Sequence, residues 1–355
     1  MMETSTVLVT GATGGIGSLL VPALLARGVH VRAMTRSAER AVGLPDGAET
    51  VVADLGEPGA ALDGVDTVFL NSPSAPDAAD LQIRFAQSAR RAGVRRLVVL
   101  SQYAARADSP VRFLRWHAAV ETSIRDLGLE SWTVLRPNLF MQGVLAFAGL
   151  IRAQGMFAAP IGGAAVSAVD TRDIADAAAA VLTEPGHAGR TYTLTGPRAV
   201  THTEIAEALS AATGTRIAFA DTRPEDFAAA LRGMLPDWQI EGLVEDYAHY
   251  ARGEAAEIHT DLPALTGHPA RDLTDFTRDY ARLFTPAPAK ETFIPALVKE
   301  TSTPATTEET LTLAPAEETL TPARARETFT SAPAGEIDTP APAKETFIPA
   351  LVKEN

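Results

Sequence analysis

Residues 6–17 read TVLVTGATGGIG, and this stretch decides the fold. The β-branched and aliphatic run at 6–10 reads as a strand buried on both faces, which carries a near-continuous apolar pattern. Gly11, Thr13, Gly14, Gly15, Ile16 and Gly17 follow at once and open a helix. In that context Gly11 permits the tight turn and Gly14 lets the backbone approach a pyrophosphate. Gly17 lets helix and strand pack closely. The amides at the helix start then offer donors, and the positive end of a dipole, to phosphate. An ordinary glycine turn is the alternative, and the residues farther along the chain weigh against it.

Outward from this stretch, short β-branched runs at 29–35, 49–53, 67–71, 96–101 and 132–136 alternate with helical patterns near 15–27, 78–92 and 111–127. That alternation predicts a parallel sheet with crossover helices. A strand near 190–195 comes later. A helix after Thr201 follows, where the THTE run sets a hydroxyl cap and a glutamate three residues apart. Further helices are expected near 224–235 and 240–252. The expected fold class is α/β. A Rossmann-type, doubly wound parallel sheet occupies a domain over 1–284, with a smaller, mostly helical substrate portion from about residue 140.

Three strand ends select the nucleotide. The second strand ends in Arg36, where NAD would call for an acid on its ribose. An arginine suits a 2′-phosphate, so NADP(H) is the expected cofactor. Asp54 and Leu55 close the third strand, where an acid can hold the adenine amino group. Asn71, Ser72 and Pro73 close the fourth, on the carboxyl edge where open α/β sheets bind ligands.

Together with TGATGGIG, Arg36 and Asp54-Leu55, four segments carry a narrower resemblance: SQYAA at 101–105, HAAVE at 117–121, RPNLFMQ at 136–142 and VDTRDIA at 169–175. Over about residues 5–284 the chain resembles the NmrA-like atypical short-chain dehydrogenase/reductases. That group includes NAD(P)H-dependent quinone reductases, isoflavone-type reductases and antibiotic-pathway ketoreductases, and also redox-sensing regulators without catalysis. The resemblance implies NADPH-dependent reduction of a carbonyl or quinone, with an aromatic ketone, the polyketide type included, as partner, or else a non-catalytic NADP(H) sensor. Standard short-chain reductases pair a tyrosine with a lysine four residues on. Here the tyrosines at 103, 192, 247, 250 and 280 are followed at that spacing by Ala107, Gly196, Ala251, Glu254 and Phe284, so the pair is absent.

The remaining candidates for catalysis are Ser101, Tyr103 and His117. The resemblance sets His117 at the position of the catalytic lysine of isoflavone-type reductases, and a histidine can donate a proton near neutral pH. Water or a phenol on the substrate are the other proton sources. Pro137 is expected to shape the nicotinamide wall, and Gln102, Asn138, Phe140 and Met141 to face the substrate. Asp170 and Asp173 are expected to cap the following helix and pair with arginines.

Composition bounds the rest. The 355 residues include no cysteine, which excludes disulfides, thiolate metal sites and a cysteine nucleophile. Seven histidines lie scattered without ligand spacing, so no metal is expected. A net charge of −13 argues against nucleic acid as a partner. Of 31 basic residues only four are lysines, and all lie at or beyond Lys290, so no lysine can act in the body of the protein. The stretch 137–169 is broken by Arg152 and glycines and reads as core, not as a membrane span. With no targeting segment visible, a cytoplasmic location is the expectation. From residue 285 to 355, glutamates recur every nine residues from Glu291 to Glu345, and ETFIPALVK at 291–299 returns unchanged at 345–353. Rich in Pro, Thr, Ala and Glu, this segment is expected to be a disordered tail. A docking array anchored by Phe293 and Phe347 is the sharper alternative.

Overall fold

The computed structural model describes residues 5–285, so the expected tail lies outside the described residues apart from Thr285. In chain order the strands are β1 (Thr6–Val9), β2 (His30–Thr35), β3 (Glu49–Val52), β4 (Thr67–Leu70), β5 (Arg96–Leu100), β6 (Ser131–Pro137), β7 (Met156–Ala159), β8 (Ala165–Val166), β9 (Arg190–Leu194), β10 (Val200–Thr201) and β11 (Ala218–Asp221). The helices are α1 (Gly17–Ala26), α2 (Ala78–Arg91), α3 (Arg112–Asp126), α4 (Ala148–Gln154), α5 (Thr171–Thr183), α6 (His202–Thr213), α7 (Pro224–Leu231), α8 (Asp237–Ala251), α9 (Asp261–Thr266) and α10 (Leu273–Phe284).

Seven strands form one parallel sheet in the order β3-β2-β1-β4-β5-β6-β9. The order reverses between β1 and β4, and this is the switch point at which open α/β sheets bind ligands. The strands read apolar throughout because both faces are covered: all four residues of β4 are buried. One face packs against α1 and α5, whose alanine run at 177–180 allows close approach. The other packs against α2 and α3 through Phe85, Ala86, Ala89, Val120 and Ile124.

At the carboxyl end of β1 the chain has almost no spare room. Gly11 takes φ +60°, open to glycine at little cost, and a β-carbon there would lie 3.3 Å from Asn71 Nδ2 and its carbonyl oxygen. A β-carbon on Gly17 would stand 2.1 Å from the Gly11 carbonyl oxygen, an impossible contact. Thr10 Oγ1 donates to the Asn71 carbonyl at 2.7 Å and accepts from the Asn71 amide at 2.8 Å, stapling β1 to β4 across the switch point.

After β6 the chain builds a second core. Here β7 pairs in parallel with β11, and β8 antiparallel with β10. Helices α4, α6 and α10 enclose Phe157, Leu209, Phe276 and Phe284, while α7 and α8 enclose Phe227, Leu243, Tyr247 and Tyr250. The capping box expected at Thr201 and Glu204 starts α6, and a second, between Asp272 and Asp275, starts α10. Three expectations change. The portion after residue 140 is not continuous, since α5 and β9 return to the large sheet. The helix expected at 224–235 stops at Leu231, and that expected at 240–252 starts at Asp237, directly after Pro236, which suits a helix entrance but not an interior. The alanine-rich strands β7 and β11 have weak strand propensity, and only their mutual pairing holds them extended.

Gly17→Ala should therefore damage both fold and ligand edge. We expect a loss of about 1–3 kcal/mol, the usual cost of forcing an extra methyl group into packed structure, measured as a lower denaturant midpoint.

Candidate active site

The glycine turn carries the ligand edge. Ile16 provides no side-chain cap to α1, and no acidic residue stands in its first turn. The positive end of the helix dipole is thus left for an anion arriving over Gly11–Gly17. Arg36 stands exposed one residue beyond β2, and Asp54 is exposed two residues beyond β3, where its Oδ1 accepts from the Gly56 amide at 2.8 Å. Asn71, Ser72 and Pro73 leave β4 half-buried beside the turn. One carboxyl edge therefore holds the residues expected to meet phosphate, ribose and adenine.

Farther along that edge a carboxylate sets the geometry. Glu121 on α3 is fully buried. Its Oε1 accepts from Ser101 Oγ at 2.6 Å and from Arg136 Nε at 2.8 Å; its Oε2 accepts from Arg136 Nη2 at 2.6 Å and Arg125 Nη2 at 2.7 Å. Burial alone would raise its pKa, but the donors from Arg136, Ser101 and Arg125 outweigh it and hold it below the usual carboxylate range. The ends of β5 and β6 are thereby tied to α3. His117 lies one turn before Glu121. Burial pushes its pKa down to about 4, against the opposing pull of Glu121, so its imidazole is neutral at neutral pH.

A cleft opens between α2 and α3 at this point. Ser72, Pro73, Ser74, Ala78, Ala79 and Gln82 line one side, and Gln102, Phe113, Trp116, His117 and Val120 the other. Ala104 adopts φ +58°, and the tight bend at 101–105 turns neighbouring side chains apart. Gln102 lines the cleft. Tyr103 instead packs among the aromatic residues of the second core, 6.1 Å from the His259 ring.

Residues 3–265 match the model of the NmrA-like family. The chain belongs to the NmrA-like family. It is 36% identical over 283 residues to an NAD(P)H azoreductase of Xenophilus azovorans, covering 78% of this chain and 99% of that protein. It is also 36% identical over 286 residues to a (4-alkanoyl-5-oxo-2,5-dihydrofuran-3-yl)methyl phosphate reductase of Streptomyces griseus, covering 79% and 99%. Among solved structures, the NADPH complex of an Escherichia coli quinone oxidoreductase superposes with a TM-score of 0.70 at 29% identity, covering 77% of this chain and 99% of that one.

In this member of the NmrA-like family, two of the narrower motifs clasp each other. Gln142 Nε2 donates to Asp170 Oδ1 at 2.8 Å, its Oε1 accepts from the Thr171 amide at 3.0 Å, and Phe140 bridges to Val169. Asp170 caps α5 by accepting from the Arg172 amide at 2.9 Å and pairs with the Arg172 side chain at 2.7 Å. Asp173 pairs with Arg271. Both aspartates thus pair with arginines as expected, but only Asp170 caps the helix; Asp173 accepts from the Arg271 amide and side chain.

Four site expectations need correction. Asn138 is buried: its Nδ2 donates to Ser167 Oγ and the Ala255 carbonyl, and its Oδ1 accepts from the Leu139 amide, so both its donors are engaged within the protein. Phe140 and Met141 are packed in separate core clusters instead of facing a ligand. The Ser101 hydroxyl is spent on Glu121. Of His117, Ser101 and Tyr103, only His117 lines the cleft, and there as a neutral ring, not a cationic acid. Pro137 is buried, with its carbonyl accepting from the Tyr103 amide at 2.8 Å, so it orders the strand end.

Asp246 escaped sequence reasoning. The only signal was an acid within the otherwise apolar face of GLVEDYAHY on α8. It is buried, and Gln102 Nε2 donates to its Oδ1 at 3.3 Å. Burial pushes its pKa up to about 7, Gln102 pulls it down and Glu245 adds to the rise. The sign follows. The unfolded carboxyl ionises near 3.8 and the folded one only near 7, so the native state loses stability as pH rises through that window. Asp246→Asn removes this penalty. Its thermal midpoint relative to wild type should rise between about pH 5 and about pH 8, measured by calorimetry.

Proposed function

We propose that the chain is an NADPH-dependent oxidoreductase that transfers hydride to electron-poor, conjugated acceptors such as quinones. The observation that carries this reading is the ligand edge itself: a glycine turn at the switch point, an uncapped helix start, and Arg36 at the end of β2 with no acid in its place. The kinship with named reductases supports the same reading. The residues present suit the dinucleotide. The amides of the Gly11–Gly17 turn, at the uncapped start of α1, can meet the pyrophosphate, Arg36 can pair with the 2′-phosphate, and His117 as a neutral ring can hydrogen-bond a ribose hydroxyl. When bound, NADPH supplies the hydride.

The acceptor class follows from what the chain lacks. Between residues 5 and 285 no lysine stands in the sequence, Ser101 is committed to Glu121, and His117 is neutral. An isolated ketone gains a localised alkoxide on hydride addition and needs an acid to quench it. A quinone gains a delocalised hydroquinone anion, which water can protonate afterwards: NADPH, quinone and one proton give NADP⁺ and hydroquinone. Azo compounds and conjugated furanones, the acceptors in the names of the two curated relatives, delocalise the added charge in the same way. A ketone beside a phenol, the aromatic polyketide pattern, belongs to this class too. The chain then mainly orients cofactor and acceptor and excludes competing geometry.

NADPH oxidation should be seen with quinones, an azo dye and a phenol-bearing aryl ketone, and not with a simple aliphatic ketone. Turnover of the aliphatic ketone alone, or of none of these by NADPH-loaded protein, defeats the proposal. Arg36→Ala should weaken NADPH by about one to two decades while leaving NADH nearly unchanged, since one charge-assisted hydrogen bond is worth about 1.5–3 kcal/mol. Equal losses would remove the 2′-phosphate role. With a quinone, His117→Ala should keep kcat within about tenfold of wild type, below the 10²–10⁴-fold that an essential general acid contributes. A larger loss at unchanged NADPH affinity would make His117 the acid after all.

A further inference from the structure

Gln82 on α2 lines the cleft and is buried, with 5% of its surface exposed. Its Nε2 donates to Ser72 Oγ at 2.8 Å. Its Oε1 is shielded from solvent and meets no donor within the protein. Native proteins keep few such unpaired buried acceptors, because nothing repays the loss of their water. One that borders a cleft is an acceptor held ready for a donor from a ligand.

The rest of the lining narrows that ligand. Among the described residues bordering the cleft there is no Asp, Glu, Lys or Arg, and His117 is neutral, so a charged group would be desolvated here without a partner. Phe113 is buried against Gly242 of α8, and half-buried Trp116, which it meets edge to face at 5.2 Å, is the aromatic ring of the lining with surface left for a ligand. Gln102, beyond β5, brings the cleft to the same carboxyl edge as the cofactor residues.

We propose that the cleft between α2 and α3 is a subsite for a neutral, hydroxylated aromatic ring of the hydride acceptor, and that Gln82 Oε1 sets acceptor preference by accepting the hydrogen bond of the ring hydroxyl. The role of the ring as acceptor rests on the reductase reading above; the subsite itself does not. Gln82 bears on which acceptor is held, not on the transfer of hydride. A ring whose hydroxyl is replaced by a methoxy group keeps its shape and loses the donor, and should be discriminated against.

The test is calorimetric titration of the full chain, saturated with NADP⁺ so that no turnover occurs. The probes are a ring-hydroxylated naphthoquinone, its methoxy ether and the parent naphthoquinone, below the pH at which the hydroxyl ionises. Wild type should bind the hydroxylated ring about ten- to a hundredfold more tightly than the ether, the range expected for one hydrogen bond to a buried acceptor. Gln82→Met, similar in length but without the acceptor, should bring that ratio to about one, with NADP⁺ affinity held. Equal binding of hydroxyl and ether forms by wild type, a preference that survives in Gln82→Met, or no quinone binding at all would overturn the subsite. So would a matching loss of NADP⁺ affinity in Gln82→Met, since the oxygen would then serve the cofactor. If the hydroxylated ring binds with the expected preference but NADPH is not oxidised, the subsite stands and the reductase reading falls.

Discussion

A buried carboxylate with four donors organises the carboxyl edge of the sheet at β5 and β6. Glu121 would be costly to bury alone. Two bonds from Arg136, one from Arg125 and one from Ser101 offset its lost water and keep it ionised. Removing one partner from such a pair typically costs about 3–5 kcal/mol, since the other charge is left stranded. The consequence is geometric. The helix α3 cannot slide relative to the ends of β5 and β6, so His117 and Trp116 beside it stay at the edge where the residues expected to meet the cofactor stand. The arrangement also commits the Ser101 proton, since the hydroxyl at the strand end donates to Glu121.

The cofactor edge rests on an opposite constraint, the exclusion of side chains. Gly11 and Gly17 touch backbone to backbone, and Thr10 stitches β1 to β4 beside them. The start of α1 is then fixed in the switch-point crevice with its dipole unneutralised. Fixed donors need no reorganisation when an anion arrives, and this preorganisation is what the scaffold contributes to binding. The cleft beside it carries no ionised side chain among the described residues that line it. A site of that kind favours reactions whose charge is dispersed within the substrate, which accords with acceptors that stabilise their own anions.

The narrower motifs do a different task from the one their position at strand ends suggests. Asn138, Gln142 and Asp170 use their side-chain hydrogen bonds to join the loop after β6 to the start of α5 and to the segment around Ala255. Buried polar groups must be satisfied, and a loop crossing between two cores has no ladder to satisfy them. A side-chain amide with two donors and an acceptor is a compact solution. Such residues are read in a sequence as polar groups near a site, when they are the joints that keep the two cores in register.

How much could be read without coordinates follows from the range of the forces involved. The glycine turn, the six strands up to Pro137, the helices between them and the cap at Thr201 carry signals written within a few residues, namely apolar runs, turn residues and a cap, so the sequence by itself determined them, along with the want of any lysine before Lys290. Arg36 could be read because its position is fixed by counting along one strand. The tertiary structure alone decided the rest. Whether Ser101 and Asn138 were free or engaged depended on Glu121, Ser167 and Ala255, which lie 20 to 117 residues away in the chain. The alanine-rich strands β7 and β11 exist only because they pair with each other. The titration of Asp246 and the unpaired oxygen of Gln82 are set by burial, and burial belongs to the packing of α8 and α2, not to any local pattern. Hydrogen-bond satisfaction and desolvation are properties of the assembled interior, and no window of sequence contains them.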